Sequence, residues 1–298
     1  MGDVAYYEKH FPMPAFCFTP DAEFPVCNGE KGGFNGEIVS PVFSDGVIVD
    51  FAGGVAHNAV PDRAHCVVRA AASAFRLKDG VTLEDNGDGT VTLRGWGKSG
   101  HAAMPQGTVN AIGLLVNCLL DSGICSPAET AYLKVLQKLH ASTDGSTLGI
   151  AADDGLFDPL TIIGGTIELA DGAIRQSFDC RFPTNTDAEK LTAAMTAVCG
   201  EAAHLEKISS RVPFYIPADS PAIQTLIHTY NEVTGEDKKP FTMGGGTYAR
   251  HFPFAVSFGP EHTDLPLPDF AGPMHGANEG AYFDKMIEAL KIYILALL

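Results

Sequence analysis

Between residues 90 and 233 the hydrophobic period switches in a fixed order: strand, helix, strand, strand, helix, strand, and a helix behind them. That is the order of a split βαβ, or ferredoxin-like, unit, and few other folds accommodate it. The strands read at 90–95, 160–169, 173–181 and 207–216, and Ala170-Asp171-Gly172 turns the second into the third. The helices read at 109–120, at 187–203 with Thr186 or Asp187 as N-cap, and at 221–233. A further helix, 127–141, is inserted before the second strand.

Upstream the pattern is β-rich. Runs at 36–43 and 47–51 flank Ser44-Asp45-Gly46, which predicts a hairpin; 63–69 reads as a strand and 70–77 as a short helix. Residues 81–84 and 90–95 flank Asn86-Gly87-Asp88-Gly89, the strongest hairpin signal in the chain. The start reads as a helix over 3–10 and a strand with its turn over 15–26. The end reads as a strand at 254–258, a Pro-rich loop over 260–273 and an amphipathic helix over 279–298, apolar at 283, 286, 287, 290, 294 and 297. The expected division is 1–32, 33–235 (a smaller β-rich unit 33–89, then the ferredoxin-like unit 90–235) and 236–298. Each end is too short to bury a core by itself, so the two ends are expected to pack on each other or on a further part of the protein.

A net charge of −16, with no local Lys/Arg cluster, speaks against nucleic acid as a partner. The longest apolar stretches, 111–120 and 287–298, are interrupted by Asn117 and Lys291. They fall short of the roughly 20 apolar residues that span a bilayer, so no membrane association is expected. The first ten residues lack a basic and apolar leader pattern. Seven cysteines in no CxxC or zinc-knuckle spacing read as reduced core thiols, which suits a cytoplasmic protein.

Six places could carry chemistry. Asp21 in TPDAEFP follows an apolar strand, where a carboxylate ligand is common; a solvated turn is the alternative. His101 in GKSGHAAMP sits between small residues that admit a substrate, or is a surface histidine at a helix entrance. Gly244, Gly245 and Gly246, followed by Thr247, suit backbone N–H groups converging on an oxygen, with a plain connector as the alternative. His275 in PMHGANE could ligate a metal. Arg181 could grip a carboxylate, or pair with Asp179 on its own strand. Asn58 reads as a turn residue. No GxSxG elbow is present, so nucleophilic catalysis has no support.

Taken in order, TPDAEFP, NGEKG, GGVAHNAVP, GKSGHAAMPQGTVNA, DCRFP, MGGGTYAR and HGANE resemble the PepV-type dipeptidase branch of metallopeptidase family twenty, relatives of aminoacylases and carboxypeptidases. The resemblance implies an α/β fold: a zinc-exopeptidase-like catalytic domain interrupted by an α+β lid that contains the ferredoxin-like unit. It implies hydrolysis of dipeptides or short peptides with two zinc ions, Asp21 binding one and His275 the other. His101 would stabilise the oxyanion, Asn58 would come with it from the lid, Arg181 would hold the substrate carboxylate, and Gly244–Thr247 would line the cleft. The small β-rich unit would take the place of a partner subunit, so a monomer is expected, with self-association the alternative where the catalytic core is incomplete. The family's upstream His-x-Asp and Glu-Glu have no counterpart; His262-Thr263-Asp264 spells the first but is out of order. The resemblance therefore implies an incomplete catalytic domain, the C-terminal portion of such an enzyme, with Met1 an internal methionine and activity lost or impaired. An amidohydrolase of N-acyl amino acids on the same scaffold, or a non-catalytic binding fragment, are the alternatives.

Overall fold

The computed structural model describes residues 2–272 and 278–298, and the chain divides into two compact units. The larger is Gly32–Pro213; the smaller joins Met1–Lys31 to Phe214–Leu298.

The larger unit is built on one eight-stranded sheet. Across it the strands run His204–Arg211, Gly32–Val39, Ala173–Phe182, Thr161–Ala170, Ile48–Gly53, Arg63–Arg69, Thr90–Trp96 and Val81–Asp85, all neighbours antiparallel. The first four make the split βαβ order, but its leading strand is Gly32–Val39, not 90–95. The β-rich segment is thus an insertion that continues the same sheet rather than a separate unit over 33–89. The NGDG hairpin forms as read, Leu83 facing Leu93. The expected hairpin around Asp45 does not. Gly32–Val39 instead takes an eight-residue ladder with Ala173–Phe182, while Ile48–Gly53 pairs with Arg63–Arg69 and Thr161–Ala170.

Three helices, Ala111–Ser122, Pro127–Ala141 and Ala188–Cys199, bury one face of this sheet. Each start is capped as its sequence dictates: Asn110 accepts from the Ile112 and Gly113 amides, Ser126 and Glu129 form a capping box, and Asp187 accepts from Lys190 N–H. Phe34, Ile38, Phe178 and Cys180 point to the helices, so period-two alternation sends Asn35, Asp179 and Arg181 to the opposite face.

In the smaller unit the strands run Cys17–Thr19, Ala255–Ser257, Cys27–Glu30 and Phe214–Tyr215, with Phe241–Met243 also on Cys27–Glu30. The two chain ends share a core as expected, Phe24 and Val26 packing with Ile223, Leu226, Tyr230, Phe258 and Ile292. The strand read as 207–216 is broken, its last residues pairing with Cys27–Glu30, and the helix Pro221–Thr234 follows them into this core. The division therefore falls at 213, not 235. The closing helix Phe283–Ala296 buries Ala289 and Ile292, while Phe283, Met286, Leu290 and Ile294 are exposed, so the apolar stripe read from the sequence is not its core face. All seven cysteines are free thiols, five of them buried; burial pushes Cys27 up to about 12. Among the described residues no helix is long and apolar enough to cross a membrane.

Candidate functional site

In the larger unit Asn58 and His101 are brought together. Ala59–Val60 and Gly100–His101 form a two-stranded antiparallel ladder, His101 opposite Ala59, and Ala102 N–H donates to the Asn58 carbonyl at 2.9 Å. Val60 and Ala102 are buried against Ile163, which anchors the ladder on the sheet. The loop before Asn58 crosses the sheet at Gly165, where a Cβ would lie 2.3 Å from the His57 carbonyl oxygen. The His101 ring is exposed, and its Nδ1 accepts from Ala103 N–H at 3.2 Å. A nitrogen that accepts carries no proton, so the neutral ring holds its proton on Nε2. His101 is therefore oriented as a donor.

Ile163 lies in register with Asp179, so the polar strip beside the ladder follows from the alternation. Asp179 is fully buried, and Arg181 forks onto it, Nε to Oδ1 at 2.6 Å and Nη2 to Oδ2 at 3.0 Å. Asn35 adds a hydrogen bond to Oδ2 at 2.6 Å. Of the two readings open for Arg181, the structure contains the pairing with Asp179. Opposite Arg181 on the next strand, Thr161 is buried with its hydroxyl lacking a hydrogen-bond partner among the described residues. An orphaned buried hydroxyl costs about 1–3 kcal/mol, which marks this spot as one that would welcome a polar group.

In the smaller unit the triple glycine is held by a network the sequence reading missed. Glu30 is fully buried on the strand Cys27–Glu30. Its Oε1 accepts from the amide of Thr247 at 3.0 Å and from its hydroxyl at 2.5 Å. Its Oε2 takes Arg250 Nε at 2.8 Å, while Thr247 Oγ1 lies 2.7 Å from Ser257 Oγ. Lys31 N–H reaches the Met243 carbonyl at 2.9 Å. NGEKG and GGGTYAR are thus two halves of one device. The available signal was a carboxylate at the end of a short strand, Cys27–Glu30, and an arginine just past the glycines. Thr247 is buried, Gly244 and Gly245 half-buried and Gly246 exposed.

Asp21 is exposed, two residues past the strand Cys17–Thr19. His275 lies outside the described residues. Among the described residues no group of three or more His, Cys, Asp or Glu could hold a metal ion. A zinc site normally takes three protein ligands or more. The described donors therefore do not fit a di-zinc centre by themselves.

No family model matches the chain. Among curated proteins it is 29% identical over 309 residues to YtjP of Bacillus subtilis (strain 168), a candidate dipeptidase, covering 99% of this chain and 65% of that protein. It is 28% identical over 311 residues to the Beta-Ala-Xaa dipeptidase of Lactobacillus delbrueckii subsp. lactis, covering 99% of this chain and 64% of that protein. The chain thus spans a little under two thirds of the relatives it matches. Among solved structures, the aminoacylhistidine dipeptidase of Vibrio alginolyticus matches with a TM-score of 0.54 at 14% identity, over 94% of this chain and 64% of that one. That likeness is one of mixed α/β fold.

Proposed function

Starting from the chain's standing as a relative of the M20-family dipeptidases, we propose that it carries the substrate-binding lid and part of the catalytic domain of a peptide hydrolase acting on dipeptides or short peptides. The lid is the larger unit and the catalytic part the smaller. The observation that carries the reading is the ladder beside Asn58 that presents His101, whose Nδ1 accepts from Ala103 N–H and leaves Nε2 as the donor of the neutral ring. A fixed donor of that kind suits the oxygen of a peptide carbonyl as charge develops on it.

The Arg181–Asp179 fork holds the guanidinium in one orientation, beside a buried hydroxyl in want of a partner, which supports a carboxylate-terminated substrate. Thr247, locked by Glu30, fixes the Gly244–Gly246 backbone for contact with the substrate chain. Zinc, when bound by Asp21, His275 and further ligands, would polarise the carbonyl and supply hydroxide. Because the described donors do not complete such a site, turnover by these 298 residues is expected to be low. That same observation favours a second reading, a binding module without catalysis.

Calorimetric titration with a dipeptide, its C-terminal amide and an N-acetyl amino acid separates the readings. The proposal expects the dipeptide to bind, the amide to bind roughly tenfold more weakly, and His101→Ala or Thr247→Ala to weaken binding. Preference for the N-acetyl amino acid establishes the deacylase alternative instead, and binding of none of the three overturns both. Stoichiometric zinc by mass spectrometry, with dipeptide hydrolysis, would remove the binding-module reading.

A further inference from the structure

The sheet face of the larger unit that is turned away from the helices carries a second concavity, of about 440 Å³. Its floor is the strand backbone at Gly53, Ala64 and Gly95, whose Cβ positions are directed to the helix-packed face, so the outward-facing neighbours stand up as walls. Those walls are Arg63, His65, Arg94 and Trp96, with Val55 exposed at the rim.

The register explains why they meet. Arg63 faces Trp96 and His65 faces Arg94 across one antiparallel pair, which places Arg63 and Arg94 on a diagonal of the same face. The Arg63 guanidinium lies over the Trp96 indole, 5.4 Å from the ring centroid. A cation–π contact of that kind leaves guanidinium N–H groups free for an acceptor. Arg63 makes no ion pair among the described residues, while Arg94 Nη2 is ion-paired with Glu84 Oε2 at 3.6 Å, both groups exposed to solvent. His65 is engaged by Asp50 at 2.8 Å. Among the described residues no carboxylate is hydrogen-bonded to either guanidinium, so both keep N–H donors for a further acceptor. An anion would satisfy them.

We propose that this groove binds a small aromatic carboxylate. The carboxylate would be taken by the Arg63 and Arg94 edges, and the ring would lie over the glycine floor against Trp96. A flat apolar body is required by the indole and the bare floor, and a single forked acid by the two diagonal guanidinium edges. The inference does not rest on peptide hydrolysis, because none of these residues belongs to the ladder, the Asp179 strip or the Glu30 network.

The chain has one tryptophan beside eight tyrosines, so emission under tryptophan-selective excitation reports on this groove. Titration with 3-phenylpropionate is expected to change Trp96 emission saturably, with a roughly millimolar dissociation constant, as suits so small a ligand. Arg63→Gln and Arg94→Gln, both at exposed positions, should each weaken it roughly tenfold, and Arg63→Lys should not restore it. 3-Phenylpropionamide should bind far more weakly, and inorganic phosphate should leave the emission unchanged. The proposal is overturned if emission fails to saturate, if the amide or phosphate matches the acid, or if R63Q and R94Q bind like the parent. Circular dichroism of the variants keeps a loss of binding distinct from a loss of fold.

Discussion

Glu30 spends both carboxylate oxygens on Thr247 and Arg250 within a fully buried site. A buried ion pair adds little over a well-packed apolar pair, but removing one partner strands the other charge at a cost of about 3–5 kcal/mol. Arg250→Leu is therefore expected to destabilise the smaller unit by about that amount, and Glu30→Gln by less, because the amide oxygen still accepts from Thr247. Hydrogen exchange should show the loss in strands Cys27–Glu30, Phe241–Met243 and Ala255–Ser257; a loss in the larger unit's strands would contradict the assignment. A second single-residue effect depends on pH. Burial pushes His140 from 6.5 down to about 4, with its Nε2 on Gln176 at 3.3 Å and its ring filling the space left by Gly113 and Gly164. The folded state resists the proton that the unfolded chain accepts. Stability is thus full above pH 6.5 and falls as pH drops towards 4, by up to about 3 kcal/mol. Asp144, held at about 2 by the Ser146 hydroxyl and amide, loses its contribution only below 3.8, so the two windows separate. Denaturant melts of His140→Gln should be flat over the upper window and unchanged over the lower.

The helix Pro127–Ala141 shows how a local signal gains a distant partner. Glu129 Oε2 closes the capping box on Ser126 N–H at 2.9 Å, and its Oε1 accepts Ile48 N–H, also at 2.9 Å, where the strand Ile48–Gly53 begins. Ser126→Ala removes a cap and should cost about 1 kcal/mol. Glu129→Ala also orphans a buried strand amide, and about 2–3 kcal/mol is expected from thermal melts. Equal losses would mean that the link to the strand contributes nothing. The capping box could be read from Ser126-Pro127-Ala128-Glu129; the strand contact could not, because it joins residues 81 apart in sequence. Elsewhere the same limit recurs. Alternation located nearly every strand of the sheet, and turn chemistry placed the hairpins at Asp88 and Asp171. Neither says which strand is a neighbour of which. The split βαβ order was therefore legible while its leading strand was assigned to 90–95 instead of Gly32–Val39. Motifs likewise singled out His101, Asn58 and Thr247 as candidates. Glu30 acts through pairings that only the assembled sheet creates, whereas the Asp179–Arg181 pair, two residues apart on one strand, was legible and the Asn35 contact that completes it was not.

At the scale of the whole molecule the closing helix is the outstanding liability. Periodicity shows that a helix has an apolar stripe, but not that the stripe is buried. Here the helix Phe283–Ala296 packs its smaller face, Ala289 and Ile292 with Tyr293 and Ala296, into the core. Phe283, Met286, Ile287, Leu290, Ile294 and Leu297 are left outside, Phe283 at 72% and Leu297 at 75% exposure. Apolar patches of this kind on soluble chains drive association. The 298-residue chain is accordingly expected to associate as concentration rises, read by sedimentation velocity over roughly 1–100 μM, a range that brackets ordinary interface affinities. Leu290→Glu with Ile294→Glu should return it to monomer at almost no cost in stability, within about 0.5 kcal/mol, since these side chains touch little in the folded chain. Ile292→Ala, by contrast, empties a buried site and should cost about 2–5 kcal/mol without removing the association. Salt decides the nature of the contact. A net charge of −16 on every copy opposes approach, and at physiological ionic strength the screening length is only about 8 Å. Added salt should therefore strengthen an association driven by the apolar stripe; weakening would mean that ion pairs hold the copies together and that the stripe is a bystander.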